Sequence, residues 1–265
     1  FAGWQYFPGF IKSILKSFTL CLGQTDTDTQ RLRKLGAPIT DCVGNLKFAV
    51  ESLPVKEADL AALAKTIIPR PNWFAASTHP GEEYILWDVH QRLQSNRPDL
   101  LTVIAPRHPT RGDQIASHLR SLGATVAQRS KNEPITTDTQ IYLADTMGEM
   151  GLFFRLCKLV FMGKSFVDKG GQNPLEAAKL KCTILHGPYM WNFQKMKEQL
   201  ALCGGAVEVA DGATLSKTLS DFFENPDAAS EIATKAHDYA QSEARVLDAL
   251  IIKLSPFLKS VGGDK

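Results

Sequence analysis

The 265-residue sequence has no uninterrupted apolar run near the roughly 18 residues of a membrane-spanning helix, and no excess of charge of either sign. Thirty Lys and Arg residues stand against 28 Asp and Glu, a formal net charge of +2. Bulk charge therefore gives no signal for nucleic acid. Cysteine is sparse: Cys21, Cys42, Cys157, Cys182 and Cys203 are odd in number and form no CxxC pair. The six histidines show no HxxxH spacing. These absences argue against a disulfide scaffold and a structural metal, and they suit a reducing compartment. Position 1 is not methionine, and Phe1-Ala2-Gly3-Trp4 lacks a charged leader and a small-residue cleavage site. The expectation is a processed start or a fragment. What is present is ordinary for a soluble globular protein: 44% hydrophobic and 22% charged residues, enough apolar material for a large core.

From residue 73 onward, short apolar runs alternate with amphipathic stretches. The runs are 73–76, 100–104, 124–127, 140–143, 159–162, 183–185 and 206–209. Between them, Ile85, Leu86, Val89 and Leu93 repeat on one helical face, and Ile115, Leu119 and Leu122 on another. Apolar runs separated by helices predict buried parallel strands with right-handed crossovers, that is, a doubly wound α/β domain. Ligands of such folds bind at the carboxyl ends of the strands.

Residues 1–70 read differently. Phe7, Phe10, Ile11, Ile14, Leu15 and Phe18 repeat at helical spacing opposite Lys12, Ser13, Lys16 and Ser17. That pattern suits packing on the rest of a domain or a basic face at a membrane surface. A strand at 19–22, a helix from Asp26 to Leu35 closed by Gly36, and a strand and loop at 41–47 follow. Residues 54–71 form a Pro-bounded connection with one helix, and the stretch after Pro226 is helical in composition.

The loops after the strands hold the unusual residues. Ser77-Thr78-His79-Pro80-Gly81-Glu82-Glu83 is either a capped helix start or a set of amides and hydroxyls facing a ligand. Pro106-Arg107-His108-Pro109-Thr110-Arg111 places a stiff cation cluster at a strand end, where the arginine fork suits phosphate or carboxylate. Asp145-Thr146-Met147-Gly148-Glu149 is either a simple helix N-terminus or a close-approach glycine with helix amides open to an anion. In the loop from Gly163 to Ala178, Asn173 as N-cap, Pro174 at N1 and Glu176 at N3 compose a capping box. Alternatively Glu176 faces a ribose, as acidic residues do in dinucleotide folds.

These loops, in this order, together with Gly187-Pro188-Tyr189-Met190-Trp191-Asn192-Phe193 and Gly44-Asn45-Leu46-Lys47-Phe48, resemble the Kdo transferases. These enzymes move 3-deoxy-D-manno-octulosonic acid from CMP-Kdo onto a lipid A precursor. The resemblance implies a GT-B glycosyltransferase whose Rossmann-like domain binds CMP through Pro106, Arg107, Met147, Gly148, Glu149, Asn173, Pro174, Leu175 and Glu176. Ser77, Thr78, His79, Ser165, Gly171 and Gln172 are further candidates, and Lys47 is the implied transition-state stabiliser. It implies no cofactor or metal, and no nucleic-acid partner. For the full-length protein it implies a place at the cytoplasmic face of the inner membrane. The family's general base lies in an early Ser-Val-Gly-Glu element that is missing here, so this chain reads as the donor-binding portion. The implied division is 1–50 as remnant of the acceptor domain, 51–72 as connection, 73–225 as CMP-Kdo-binding domain and 226–265 as helical segment. A different GT-B nucleotide-sugar enzyme, such as an epimerase, and a non-catalytic nucleotide-binding module are the alternatives.

Overall fold

The computed structural model describes residues 1–44, 52–167, 170–244 and 246–259. The chain forms two compact units, Phe1–Glu51 with Ala240–Lys265, and Ser52–Tyr239.

In the first unit, α1 (Pro8–Lys16) precedes a β1-α2-β2 crossover. Here β1 (Cys21–Gly23) pairs in parallel with β2 (Thr40–Cys42), and α2 (Asp26–Lys34) lies between them in sequence. Helix α2 starts because Thr25 caps it, its hydroxyl accepting from the Asp28 N–H at 3.0 Å. It stops at Gly36, whose φ of +95° costs a side-chain-free residue little. The core is small: Ile11 and Leu15 of α1 meet Cys21, Ala37, Leu32 and Leu35. The apolar periodicity of α1 is therefore only half used. Phe7, Phe10, Ile14 and Phe18 stay exposed. Within the same unit α11 (Val246–Lys259) pairs Lys253 with Asp41.

The second unit holds the predicted doubly wound sheet. Its strands are β3 (Asn72–Thr78), β4 (Leu101–Pro106), β5 (Val126–Gln128), β6 (Ile141–Leu143), β7 (Leu159–Met162), β8 (Thr183–His186) and β9 (Ala206–Glu208). They run in the order β5-β6-β4-β3-β7-β8-β9, every pairing parallel. Each coincides with an apolar run in the sequence. The helices are α3 (Glu57–Ile67), α4 (Glu82–Gln94), α5 (Gly112–Ser121), α6 (Met150–Leu156), α7 (Leu175–Lys179), α8 (Gln194–Cys203), α9 (Gly212–Glu224) and α10 (Pro226–Ala244), the last belonging to this unit through Tyr239.

Strand β3 explains why both faces must be covered. Trp73 and Ala75 point into a core with Leu86, Val89 and Leu93 of α4, Ile115 and Leu119 of α5, and Leu215 and Leu219 of α9. Phe74 points the other way, onto Phe153 and Phe154 of α6, with ring centroids 5.7 and 5.4 Å apart. Both faces are thus covered, and the centre of the strand, Trp73-Phe74-Ala75-Ala76, is apolar throughout. Leu122 departs from expectation: α5 ends at Ser121, so this residue falls past the helix and is exposed. At the amino ends of the strands, Arg70 donates to the carbonyls of Asp99, Leu100, Thr136 and Thr139, tying the loops before β4 and β6 together.

The chain leaves β3 toward β4 on one side and later returns to lay β7 on the other. The crevice at their carboxyl ends is the topological switch point, where open α/β sheets bind ligands. Replacing Phe74 by Ala should destabilise this unit by about 3–5 kcal/mol, because three aromatic rings share one buried contact. Chemical denaturation followed by near-ultraviolet dichroism measures it, and a loss below ~1 kcal/mol would mean that the cluster collapses around the cavity.

Candidate functional site

Four loop segments meet at the carboxyl edge of the sheet. After β3 the chain turns sharply, with Ser77 at φ +59° and Gly81, the N-cap of α4, at φ +98°. After β7, Gly163 passes so close to this turn that a Cβ on it would lie 2.5 Å from the Ser77 carbonyl oxygen. Glycine is required there by contact, not by flexibility.

Glu82 joins the two loops. Its Oε2 accepts from the N–H of Lys164 at 2.7 Å and of His79 at 2.9 Å. Its Oε1 accepts from Ser165 at 3.0 Å and Phe166 at 3.1 Å. Burial pushes its pKa up and these four amides pull it down. Both oxygens act only as acceptors, so the ionised form is the one that fits. Glu83 is equally occupied: Arg111 grips both of its oxygens at 2.8 and 3.1 Å, and the Thr78 hydroxyl adds a third bond at 2.8 Å. The pair of glutamates opening α4 is therefore a structural lock, more specific than a favourable first turn.

That lock revises the expected cation cluster. Arg111 is neutralised by Glu83, whereas Arg107 is exposed and its guanidinium donates to no described residue. The backbone N–H of Arg107 donates to the Thr78 carbonyl at 2.9 Å, which seats it beside the crevice, and Pro106 before it is buried. His79 sits between the loops, its Nε2 3.1 Å from Gln172 Nε2 and its ring 6.1 Å from that of His108. Burial, then the neighbouring charges of Lys164, His108 and Arg111, hold its pKa below the ordinary histidine value.

Ser165 is wholly buried. Its hydroxyl donates to the Met162 carbonyl and accepts from the Gly187 N–H at 2.8 Å, so it is committed to the loop. Gly171, at φ +99°, packs against Met190. The capping box is not realised as expected. Pro174 is the N-cap of α7, Glu176 is its second residue, and Asn173 Oδ1 accepts from the Leu175 N–H at 3.1 Å. The reason is local: the asparagine side chain closes a turn onto the amide two residues on, so the helix starts one residue late. Glu176 is thereby released from capping. It is half-buried, with its pKa pushed up by burial and opposed by Lys179.

Beyond β6, Met147 is exposed and Gly148 adopts φ +81°. The Glu149 carboxylate is gripped by Arg129, at 2.7 Å from Nη2 and 3.2 Å from Nε, and receives the Thr146 hydroxyl. These residues line a cavity of ≈ 570 Å³ with Pro54, Lys56, Asp59, Arg129 and Ser130. Lys56, Asp59 and Arg129 were not legible as site residues. The one signal was the Arg129-Ser130-Lys131 run directly after β5, a strand end like the others. Asp145 is a scaffold group, accepting from Ser130 N at 2.9 Å and Gln128 Nε2 at 2.7 Å. Lys47 lies outside the described residues.

The fold defines a class: a doubly wound α/β domain of the GT-B glycosyltransferase type. A solved structure, the C-terminal CMP-Kdo binding domain of WaaA from Acinetobacter baumannii, superposes with a TM-score of 0.65 at 26% identity, over 73% of this chain and 98% of that one. Anabaena HepE, solved with UDP and glucose, shares the fold at 11% identity, with a TM-score of 0.55 over 96% of this chain and 66% of that one. A family profile described as 3-Deoxy-D-manno-octulosonic-acid transferase (kdotransferase) matches residues 1–50. The 3-deoxy-D-manno-octulosonic acid transferase of Rickettsia bellii is 30% identical over 97% of this chain and 62% of its own length. That of Bordetella pertussis is 32% identical over 94% of this chain and 59% of its own. The chain is a homologue of the Kdo transferases, and it spans less than two thirds of these relatives.

Arg129 holds the Glu149 carboxyl below the usual carboxylate range. A carboxyl with a depressed folded pKa contributes stability above its unfolded value, about 4.3, and loses it as pH falls through the folded value. Glu149→Gln should therefore lose less stability than the wild type between about pH 5 and pH 3, by up to about 1 kcal/mol for this partly exposed pair. Urea midpoints at the two pH values decide it; parallel declines would remove the pair from the acid response.

Proposed function

We propose that this chain is the donor-binding portion of a Kdo transferase, which holds the CMP moiety of CMP-Kdo at the carboxyl edge of its seven-stranded sheet. The observation that carries this reading is Arg107, which has no carboxylate partner among the described residues and lies beside the switch-point crevice, while Arg111 and Arg129 are both paired. In the same reading Pro106 seats Arg107. Met147 and Gly148 present backbone to the nucleotide on a loop that Glu149 and Arg129 hold still. Asn173, Pro174, Leu175 and Glu176 face the ribose side, the glutamate being free of a capping role. Ser77, Thr78, His79, Gly171 and Gln172 shape the crevice wall, and Ser165 supports it from beneath.

The reaction proposed for the whole protein is transfer of Kdo to a lipid A precursor at the cytoplasmic face of the inner membrane. Departure of CMP builds negative charge on the phosphate, and a preorganised guanidinium there is worth more in the transition state than in the ground state. Lys47 is assigned the same task. Residues 1–50 are assigned to the acceptor domain, 51–72 to the connection, 73–225 to the CMP-Kdo-binding domain and 226–265 to a helical segment. Among the described residues no helix is long and apolar enough to cross a membrane.

Calorimetry tests the binding step. The chain should bind CMP in preference to UMP, and Arg107→Ala should weaken CMP by about 1.5–3 kcal/mol, the worth of a charge-assisted hydrogen bond. Preference for UMP would favour another nucleotide-sugar chemistry, and unchanged affinity in the variant would remove Arg107.

Transfer is a separate matter. The Ser-Val-Gly-Glu element that carries the family's base does not occur in this sequence, and general-base action contributes roughly 10²–10⁴-fold. The chain alone should release no lipid-linked Kdo above background in a radiolabel transfer assay. Turnover by it would place the base among the residues described above.

A further inference from the structure

The loop after β7 has the geometry of an anion-binding nest. Lys164 sits at φ +57°, and the N–H groups of Lys164, Ser165 and Phe166 converge on one point with that of His79 opposite. Successive amides arranged around a left-handed residue make a concavity for phosphate, and this one lies at the switch point where doubly wound folds place phosphates. Here it is already filled. The Glu82 carboxylate, wholly buried, takes all four N–H groups at 2.7–3.1 Å.

We propose that Glu82 is a specificity-determining residue that limits the nucleotide site to one phosphate, by acting as a resident anion in the place a second phosphate would need. The inference rests on the reading of this crevice as the CMP site. A diphosphate entering the crevice finds no free amide in the nest and a like charge behind it. The cations left are also few. Among the described residues of these loops, Arg111 is cancelled by Glu83, burial and neighbouring cations disfavour the charged form of His79, and Arg107 and Lys164 remain. A terminal phosphate carries a charge of about −1.5 to −2 at neutral pH, and a second phosphate adds charge next to the Glu82 carboxylate. Glu82 touches no ligand in this account; it acts through the backbone of the two loops.

Titration calorimetry with CMP and CDP on the wild-type chain, Glu82→Gln and Arg107→Ala forms the test. The wild type should favour CMP over CDP by roughly tenfold or more, the scale on which like-charge juxtaposition acts. Glu82→Gln, which keeps shape and removes charge, should bring the two affinities together, whereas mere loosening of the loops would weaken both alike. Arg107→Ala should weaken both and preserve their ratio. Because the glutamine variant leaves buried amides without an acceptor and can fail to fold, amide resonances of the wild type supply a second readout. Those of Lys164, Ser165 and Phe166 should stay nearly still when CMP is added, while Arg107 and His108 move. Equal or tighter CDP binding by the wild type, or an unchanged ratio in Glu82→Gln, would overturn the role of Glu82 and leave the CMP site standing. Strong shifts of the nest amides with CMP would show that phosphate displaces the carboxylate, which also overturns it. Failure of any cytidine nucleotide to bind would instead remove the reading of the crevice, and this inference with it.

Discussion

The carboxyl edge of the sheet depends on one buried charge. Glu82 opens α4 yet faces inward, and its four amide donors come from two loops separated by more than 80 residues of sequence. Without an acceptor at that point, four N–H groups would be left unpaired, and the buried one, of Ser165, would cost about 1–3 kcal/mol. With it, the β3 and β7 loops can approach until only glycine fits at position 163. Ser77 in a left-handed conformation is a further consequence, since the turn must swing the chain across the crevice and back into the helix. The geometry of every candidate ligand-facing group in these two loops follows from that carboxylate.

A second principle sorts the arginines. Sequence position alone makes Arg107, Arg111 and Arg129 equivalent, each just beyond a strand. The structure commits two of them: Arg111 to Glu83 and Arg129 to Glu149, both through bidentate forks. Such pairs fix loop geometry and carry little net charge. In the proposed reading, a ligand anion would meet Arg107 on a loop stiffened by neighbours that have already been neutralised. Preorganisation of this kind is what lets a single guanidinium stabilise charge that develops during a reaction, because the protein does not have to move to meet it.

The fold was almost wholly legible, and the reason is physical. A parallel sheet covered on both faces makes each strand an unbroken apolar run, so all seven strands stood out between amphipathic stretches. The loops were legible as places of interest, because glycine, proline and charge after a buried strand have few other uses. Their internal wiring was not. Nothing local tells that Glu82 reaches residues 164–166, that Glu83 cancels Arg111, or that Asn173 bonds the second amide on and starts α7 one residue late. These are contacts between segments distant in sequence or choices of a single rotamer, and hydrophobic periodicity carries neither. The same limit explains why Arg129, Lys56 and Asp59 went unseen: their significance comes from the cavity they share with Met147 and Glu149.

The departures from expectation also point in one direction. Glu176 loses its capping partner and stays half-buried, with burial pushing its pKa up, whereas Glu82, Glu83 and Glu149 are each saturated by donors. Among the described residues, Glu176 has no side-chain hydrogen bond of the kind that holds the other three. A half-buried acid without a strong donor is costly in the empty site and becomes favourable when hydroxyl groups arrive to bond it. Ribose hydroxyls are donors of that kind, and they offer two at once. In the proposed reading, the stability withheld at Glu176 would be recovered when ribose hydroxyls bond it.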